Sequence, residues 1–556
     1  MRIRLDTMTE KVQILRTSRR HAPMNRRQFL ADSMGAAILA ALPADVFAQS
    51  GTPARSERWD AGQVRHLLPT VSDRRILFKA SFAQPLSASP VLRIGGRSFS
   101  GRMNDTRGDF WQFHADGLEP GRRHTLSLHL SGRTLCEPWD LSTFPDPKER
   151  VTQCRVLFFS CAGGHDAFGF VPAATRNRLL RRALSFRPEA VVANGDHVYW
   201  DLIAPRGSAW LGATEEAKRI AGTFKRSAVV FGDTNEVVLT RAAGPQITPV
   251  YGTDFRSTPV FFLQDDHDYF DNDEATPELV TFPPSWFMLQ LARATQRLYY
   301  PEFLPDAARP ESLPWSSVGD RDLLRGLSES FGTIRFGRLV EILLYDVRRT
   351  ATLAGPSAVF VDPEAEKWLH DRNASSDVTH LVHVPSNPPG WSAGKWGEWY
   401  PDVLGADNRL TVLSPKPFWQ EGWLKQHDRL MASMAAMKGR RPLVISGDLH
   451  AVALGQMVRC GALDFHANPV TTVLAGPIGT GSNNWPSAFR GVGATPPAHL
   501  DVQERITPLE QHGFTLADFL PDRIVLQFFK WDVRTQHPDA IDNLQPFHTE
   551  ELGRPI

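Results

Sequence analysis

Five apolar runs in this chain are each followed at once by residues that can do chemistry. Cys161 follows RVLFFS (155–160). Asp196, His197 and Tyr199 follow AVVANG, and Asp265, Asp266 and His267 follow PVFFLQ. Asp346, Arg348 and Arg349 follow EILLY, and Asp448 and His450 follow PLVISG. Thiol, imidazole, phenol and carboxylate are the types of side chain that hold metal ions. Each alone has a plainer reading: Gly-Asp is ordinarily a turn, a single histidine a hydrogen-bonded core residue, a single cysteine a small apolar filler. The set behaves differently. Carboxylates gathered behind apolar runs lose hydration and repel one another unless cations sit between them. Two or more metal ions are the expectation.

The runs themselves predict the scaffold. RVLFFS, AVVAN (190–194), PVFFLQ (259–264), LVEILLYD (339–346), THLVHVP (379–385), PLVISG (442–447) and TTVLAG (471–476) are continuous apolar stretches, as expected of strands covered on both faces. TRNRLLRRALSF has helical spacing. Residues 152–535 therefore read as one α/β layered domain, and such sheets build sites at the carboxyl ends of their strands. Residues 57–145 read as all-β, with short alternating runs such as RRILFKASF and HTLSLHLSG. GLEPGRRHTLSLHL resembles the turn and strand of fibronectin type III-like sandwiches, so a small sandwich domain is expected there. FPDPKERV (144–151) reads as a linker. Residues 201–258 and 275–335 read as insertions over the site, and 536–556 as a C-terminal tail.

NGDHVYWD, DDHDYFDN and SGDLH, in this order and behind strands, resemble the calcineurin-like metallophosphoesterase pattern. More narrowly they resemble its PhoD-like branch of alkaline phosphatases and phosphodiesterases. That branch opens with Ser-Cys, here Ser160-Cys161. It uses Gly-Asp with a Tyr three residues on, here Asp196 and Tyr199. It has Asp-Asp-His-Glu followed by an Asn, here Asp265 to Asp268 with Asn272, and closes with Ser-Gly-Asp-x-His, here Asp448 and His450. YDVRRTAT matches its Leu-Asp-x-Arg element at Asp346 and Arg348 but lacks the Tyr-Arg that follows. The resemblance implies a metallophosphoesterase-type β-sandwich flanked by helices. It also implies a ferric ion on Cys161 and Tyr199, with Asp196 bridging to a calcium ion. Asp266, Asp448 and His450 would complete the metal shell. His267 would face the substrate, Arg348 would meet charge on the phosphoryl oxygens, and Asn272 would bind substrate. The implied activity is phosphoester hydrolysis by a metal-bound hydroxide attacking phosphorus in line. The same site could act on phospholipids or phosphotriesters. A reading of another class is a non-catalytic cell-surface binding protein that uses the sandwich for recognition.

Other residues read as supports. His197 and His165 are expected to be structural, and Arg349 an ion-paired neighbour. His383 stands where many superfamily members carry a metal-binding histidine and is left out of the ligand set. GWSAGKWGEWYPD (390–402) is an aromatic loop expected to rim the substrate pocket.

Bulk properties narrow the class. The 556 residues carry 62 basic and 61 acidic side chains, which supports neither a nucleic-acid partner nor a membrane-surface role. Four cysteines do not make a disulfide framework in a chain of this size. Residues 1–50 contain MNRRQFLADSMGAAILAALPADVFAQS from Met24, which resembles a twin-arginine export signal at Arg26-Arg27. Its apolar stretch is too short to span a bilayer. Met24 is a candidate start alongside Met1. The expected partner is the twin-arginine machinery, which carries folded proteins, and the expected destination is the periplasm or the medium.

Overall fold

All seven apolar runs form strands: Cys154–Ser160, Ala190–Asn194, Val260–Leu263, Val340–Tyr345, His380–Pro385, Leu443–Ser446 and Val470–Ala475. Nearly every residue in them is buried, because both faces of their sheets are covered. The computed structural model describes residues 59–554 apart from 201–214, 233, 270–282, 305–326, 376, 406, 408, 412–415, 417 and 482. The export-like segment and Asn272 lie outside the described residues. Asp60–Ile556 forms a single unit.

Two mixed sheets make the scaffold. In the first, Val260–Leu263, Ala190–Asn194 and Cys154–Ser160 run parallel. His512–Phe519, Arg523–Trp531 and His548–Gly553 then continue it antiparallel. In the second, Phe331–Phe336 flanks a parallel core of Val340–Tyr345, His380–Pro385, Leu443–Ser446 and Val470–Ala475. Val452–Cys460 follows antiparallel, with Leu500–Leu509 alongside it. The sheets are joined where their strands end: Ser160 N–H donates to Gly476 O at 2.9 Å, and Ile478 N–H to Ser160 O at 3.0 Å. Ser160 and Asn194 therefore deliver Cys161 and Asp196 beside the end of Leu443–Ser446, which delivers Asp448 and His450. Asn194 Nδ2 reaches across to Pro385 O at 3.0 Å.

Helices cover the sheets. Ala173–Leu184 sets Leu179, Leu180 and Ala183 against Leu157, Phe159 and Val191. Pro363–Ala374 and Glu421–Ala435 set Leu369, Leu430 and Met434 against Leu381 and Val444. The described parts of 201–258 and 275–335 depart from the expected insertions. Thr234–Tyr251 and Trp286–Tyr299 are helices whose Leu239, Ile247, Leu291 and Leu298 belong to the core of the first sheet. Pro245 and Pro249 inside the first of these hide it from a propensity reading. Similarly, His548–Gly553, within the segment set apart as a tail, is an edge strand. Among the described residues no helix is long and apolar enough to cross a membrane. The four cysteines are separate, buried thiols.

Residues 64–142 are all-β. Val64–Val71, Ile76–Phe82, Phe110–Ala115 and Arg102–Met103 form one sheet, and Val91–Ile94, Arg97–Ser100, Arg123–Leu130 and Trp139–Ser142 lie in another. Phe78 meets Trp139 between them, ring centroids 5.7 Å apart. This region is fastened to the rest by a buried ion pair, Lys79 Nζ to Glu302 Oε1 at 2.9 Å. Asn104 Nδ2 adds a bond to Arg297 O at 2.6 Å.

The junction of the sheets requires a glycine. A Cβ on Gly447 would stand 2.3 Å from Ser160 Cβ and 2.8 Å from Asn194 O, whereas one on Gly553 meets nothing within 4 Å. Gly447→Ala is expected to cost about 1–3 kcal/mol through overpacking. Gly553→Ala should change little. Thermal unfolding of the two variants decides: equal melting temperatures would show that the sheets do not meet as closely as this.

Candidate metal centre

The strand-end turns are strained. Among the described residues seven non-glycine positions have left-handed backbone, and four of them are Cys161 (φ 48°), Asp196 (φ 59°), Asp448 (φ 67°) and His450 (φ 47°). Each such residue costs of order 1–3 kcal/mol and persists only where its surroundings enforce it. These four are residues that the sequence assigns to metal, and the strain turns their side chains toward one another.

Their donor atoms converge. Cys161 Sγ lies 3.3 Å from Asp196 Oδ2, and Tyr199 Oη lies 3.3 Å from the same oxygen. Tyr199 Oη is also 3.1 Å from His450 Nε2. The donors of Cys161, Asp196 and His450 all fall within 4.8 Å of one another. His450 donates its Nδ1–H to Asn484 O at 2.8 Å, which leaves the Nε2 lone pair facing Tyr199. Burial pushes the His450 pKa down to about 4, so the ring is neutral, as a ligand must be. His267 is half-buried, and its ring packs on Tyr199 with centroids 4.2 Å apart.

Two buried residues that the sequence did not single out hold these turns. Asp268 Oδ2 accepts from the N–H groups of Asp196 (2.9 Å) and Asp265 (3.0 Å), and Oδ1 from those of His197 (3.0 Å) and Val198 (3.1 Å). One carboxylate thus ties the second strand end to the third. Burial raises its pKa to about 7, with the four N–H donors pulling the other way. Gln246 Oε1 accepts from Gly164 N–H at 2.7 Å and from Tyr199 N–H at 2.9 Å, tying the Cys161 turn to the Tyr199 turn. A buried polar side chain in the hidden Thr234–Tyr251 helix was the available signal.

Two cations sit among the carboxylates. Arg348 Nε is 2.5 Å from Asp265 Oδ1 and its Nη2 is 3.2 Å from Asp448 Oδ2, while Nη1 donates to Gly397 O. The residue is fully buried. The guanidinium neutralises carboxylates inside the wall of the site. Lys395 places its ammonium on Asp448 Oδ1 and, at 2.7 Å, on Asp266 Oδ2. It comes from the loop expected to rim the pocket, whose Trp391, Trp396, Trp399 and Tyr400 are instead buried.

The charge state follows. Burial and Asp266 lift the Asp196 carboxyl well above its usual range, and burial and Asp196 do the same to the Cys161 thiol. Burial opposes the charge of Asp266 too, yet Lys395, His267 and Arg348 hold its carboxyl well below that range. Asp196 Oδ1 and Asp266 Oδ1 are buried without a hydrogen-bond partner among the described residues. A thiol, a phenol, a neutral imidazole and this carboxylate fit one cation. A second group that could hold an ion, Asp265, Asp266 and Asp448, already carries Arg348 on Asp265 and Lys395 on Asp266 and Asp448.

The remaining assignments sort plainly. Asp265 serves Arg348. Asp346 accepts from Tyr269 Oη at 2.5 Å and from the N–H groups of Arg348 and Arg349. Arg349 pairs with Glu329 at 2.7 Å. His197 bonds Leu263 O at 2.6 Å, and His383 bonds Asn373 Oδ1 at 2.8 Å, within the core. His165 bonds the N–H of Ala167 beyond the centre.

Mixed sheets under helices make an α/β fold, with a donor cluster at the ends of its strands. A solved structure of PhoD aligns with 88% of this chain and 90% of its own, at 13% identity and a TM-score of 0.57. The chain therefore has a PhoD-like fold. The structure of GAP50, the anchor in the inner membrane complex of Plasmodium, covers 73% of this chain and 90% of its own, at 9% identity and a TM-score of 0.32, too low to argue from. No protein-family profile and no curated protein matches the chain.

Asp268→Asn would turn an amide NH₂ toward two buried N–H groups, each costing about 1–3 kcal/mol when left unsatisfied. Unfolding in denaturant should show a loss of at least about 2 kcal/mol, together with reduced metal content. A variant of native stability and full metal content would contradict the tie between the turns.

Proposed function

We propose that the chain is an exported, metal-dependent phosphoester hydrolase. One observation carries it: four strained strand-end residues bring Cys161, Asp196 and His450 together with Tyr199 around an unpartnered carboxylate oxygen. Thiolate and phenolate are donors suited to ferric iron, which is the ion we assign to Cys161, Asp196, Tyr199 and His450. When bound, it supplies a Lewis acid for a phosphoryl oxygen and acidifies water at neutral pH.

The chain's own residues do the rest. Asp196 and His450 orient the centre, the first with its backbone N–H held by Asp268 and the second with its ring held by Asn484 O. His267, half-buried with its ring tilted against Tyr199, is placed to give a proton to the leaving oxygen. Calcium, the companion ion that the resemblance implies, would need Asp266 and Asp448, and Lys395 stands between them. No Ser or Cys nucleophile is required. Asn272 is assigned to the substrate side on the resemblance alone. The all-β region is assigned as a fibronectin type III-like module on the same basis.

The tests separate the parts. Ferric iron on a phenolate absorbs visible light, so the purified protein should be coloured and Tyr199→Phe should bleach it. Asp196→Asn should lose more than the roughly 100-fold that removing an outer-shell partner costs, measured on chromogenic phosphomonoesters and diesters. A colourless protein, or full activity in Asp196→Asn, would refute the assignment. Rates on monoesters, diesters, phospholipids and triesters rank the substrate classes. Changing Arg26 and Arg27 to Lys should trap the precursor in the cytoplasm; unchanged export would refute the twin-arginine route to the periplasm or medium.

A further inference from the structure

We propose that Lys395 takes the place of the second metal ion, so that the centre binds one ion and carries its other positive charge as an ammonium fixed to the chain. This rests on the phosphoester-hydrolase reading and concerns the same site.

The argument goes carboxylate by carboxylate. Four buried aspartates face the centre: Asp196, Asp265, Asp266 and Asp448. Asp265 is paired with Arg348 at 2.5 Å, and Asp266 with Lys395 at 2.7 Å. Asp448 has both oxygens occupied, Oδ1 by Lys395 and Oδ2 by Arg348. Asp196 alone has no lysine or arginine partner among the described residues, and it is the one that lies against Cys161, Tyr199 and His450. One ion at that end therefore completes the neutralisation. An ammonium within hydrogen-bond reach of two carboxylates occupies the space and satisfies the charge that a divalent ion bridging them would need.

The position of Lys395 is built rather than incidental. The loop that carries it is closed on itself by Glu398, which accepts from Ser392 Oγ at 2.6 Å and from Ala393 N–H at 2.7 Å, and which pairs with Lys416. Ser392 and Thr495 exchange backbone hydrogen bonds of 2.9 Å. Two residues past Lys395, Gly397 O accepts from Asn387 Nδ2 at 3.0 Å and from Arg348 itself. Arg348 thus pairs two of the carboxylates and clamps the loop that supplies the other cation. Buried Trp391 and Trp399 anchor the loop on either side of the lysine. A lysine is a compact point charge, suited to replacing a cation. The enzyme would then need no calcium and could not lose it.

The experiment is calcium titration and elemental analysis of the iron-loaded full-length protein and of Lys395→Ala, using calcium chloride as the probe. The wild type is expected to hold one iron per chain, to bind no calcium at the centre, and to keep activity within about twofold in a calcium chelator. Lys395→Ala is expected to bind one more calcium per chain than the wild type. Without calcium its activity should fall by roughly 100- to 1,000-fold, the scale for removing one electrostatic stabiliser, and calcium should restore part of it. Calcium bound by the wild type at one per chain with chelator-sensitive activity would overturn the inference and leave the hydrolase reading intact. A folded Lys395→Ala that takes up no extra calcium would also overturn it. If that variant does not fold, Lys395→Gln is titrated in its place and the same outcomes apply. A wild type with neither iron nor phosphoester turnover would instead defeat the underlying reading.

Discussion

The structure depends on one electrostatic constraint: four aspartates are gathered almost wholly out of water at the ends of converging strands. Two unit charges 4 Å apart repel by about 4 kcal/mol even at the effective dielectric of a protein surface, and by more in a drier interior. No fold keeps such a group without cations. Arg348 and Lys395 answer the part nearest the second sheet. On the proposed reading, an ion held by the donors around Asp196 answers the rest. On that reading the charge pattern divides the site into a protein-neutralised half and a metal-neutralised half.

Holding such a group in place demands support from outside it. The left-handed backbone at Cys161, Asp196, Asp448 and His450 is unfavourable for non-glycine residues. It is enforced by the close junction at Gly447, by the four N–H groups gathered on Asp268, and by Gln246 reaching in from a helix of another part of the chain. These contacts explain why a donor cluster of this kind needs two sheets meeting end to end. The strands set direction, and the buried polar residues behind them set the last ångström.

Much of this was legible in the sequence because it is local. An apolar run followed by a ligand-type residue reads directly as a strand and what it delivers, and all seven runs are strands. The cluster of Cys161, Asp196, Tyr199, Asp266, Asp448 and His450 is brought together as that spacing suggests. What was illegible arises from contacts between distant segments. Lys395 is one charge in an aromatic loop, and nothing near it in sequence says that it reaches Asp266 and Asp448. The resemblance sets Arg348 against the phosphoryl oxygens, and its carboxylate partners lie 83 and 100 residues away. Asp268 looked like one more acid in a turn. The Thr234–Tyr251 helix contains two prolines and is apolar on several sides, so its period is hidden. Arg523–Trp531 alternates half-buried with buried positions instead of forming a continuous apolar run.

The division of the centre is tested most directly by where metal scatters in crystals of the loaded protein. Anomalous diffraction at the iron edge, with calcium present during crystallisation, should show one iron peak among Cys161 Sγ, Asp196, Tyr199 Oη and His450 Nε2. The density between Asp266 and Asp448 should belong to the Lys395 side chain. A second metal peak between those two aspartates, with Lys395 turned away, would contradict the account, as would the absence of any peak at the cysteine.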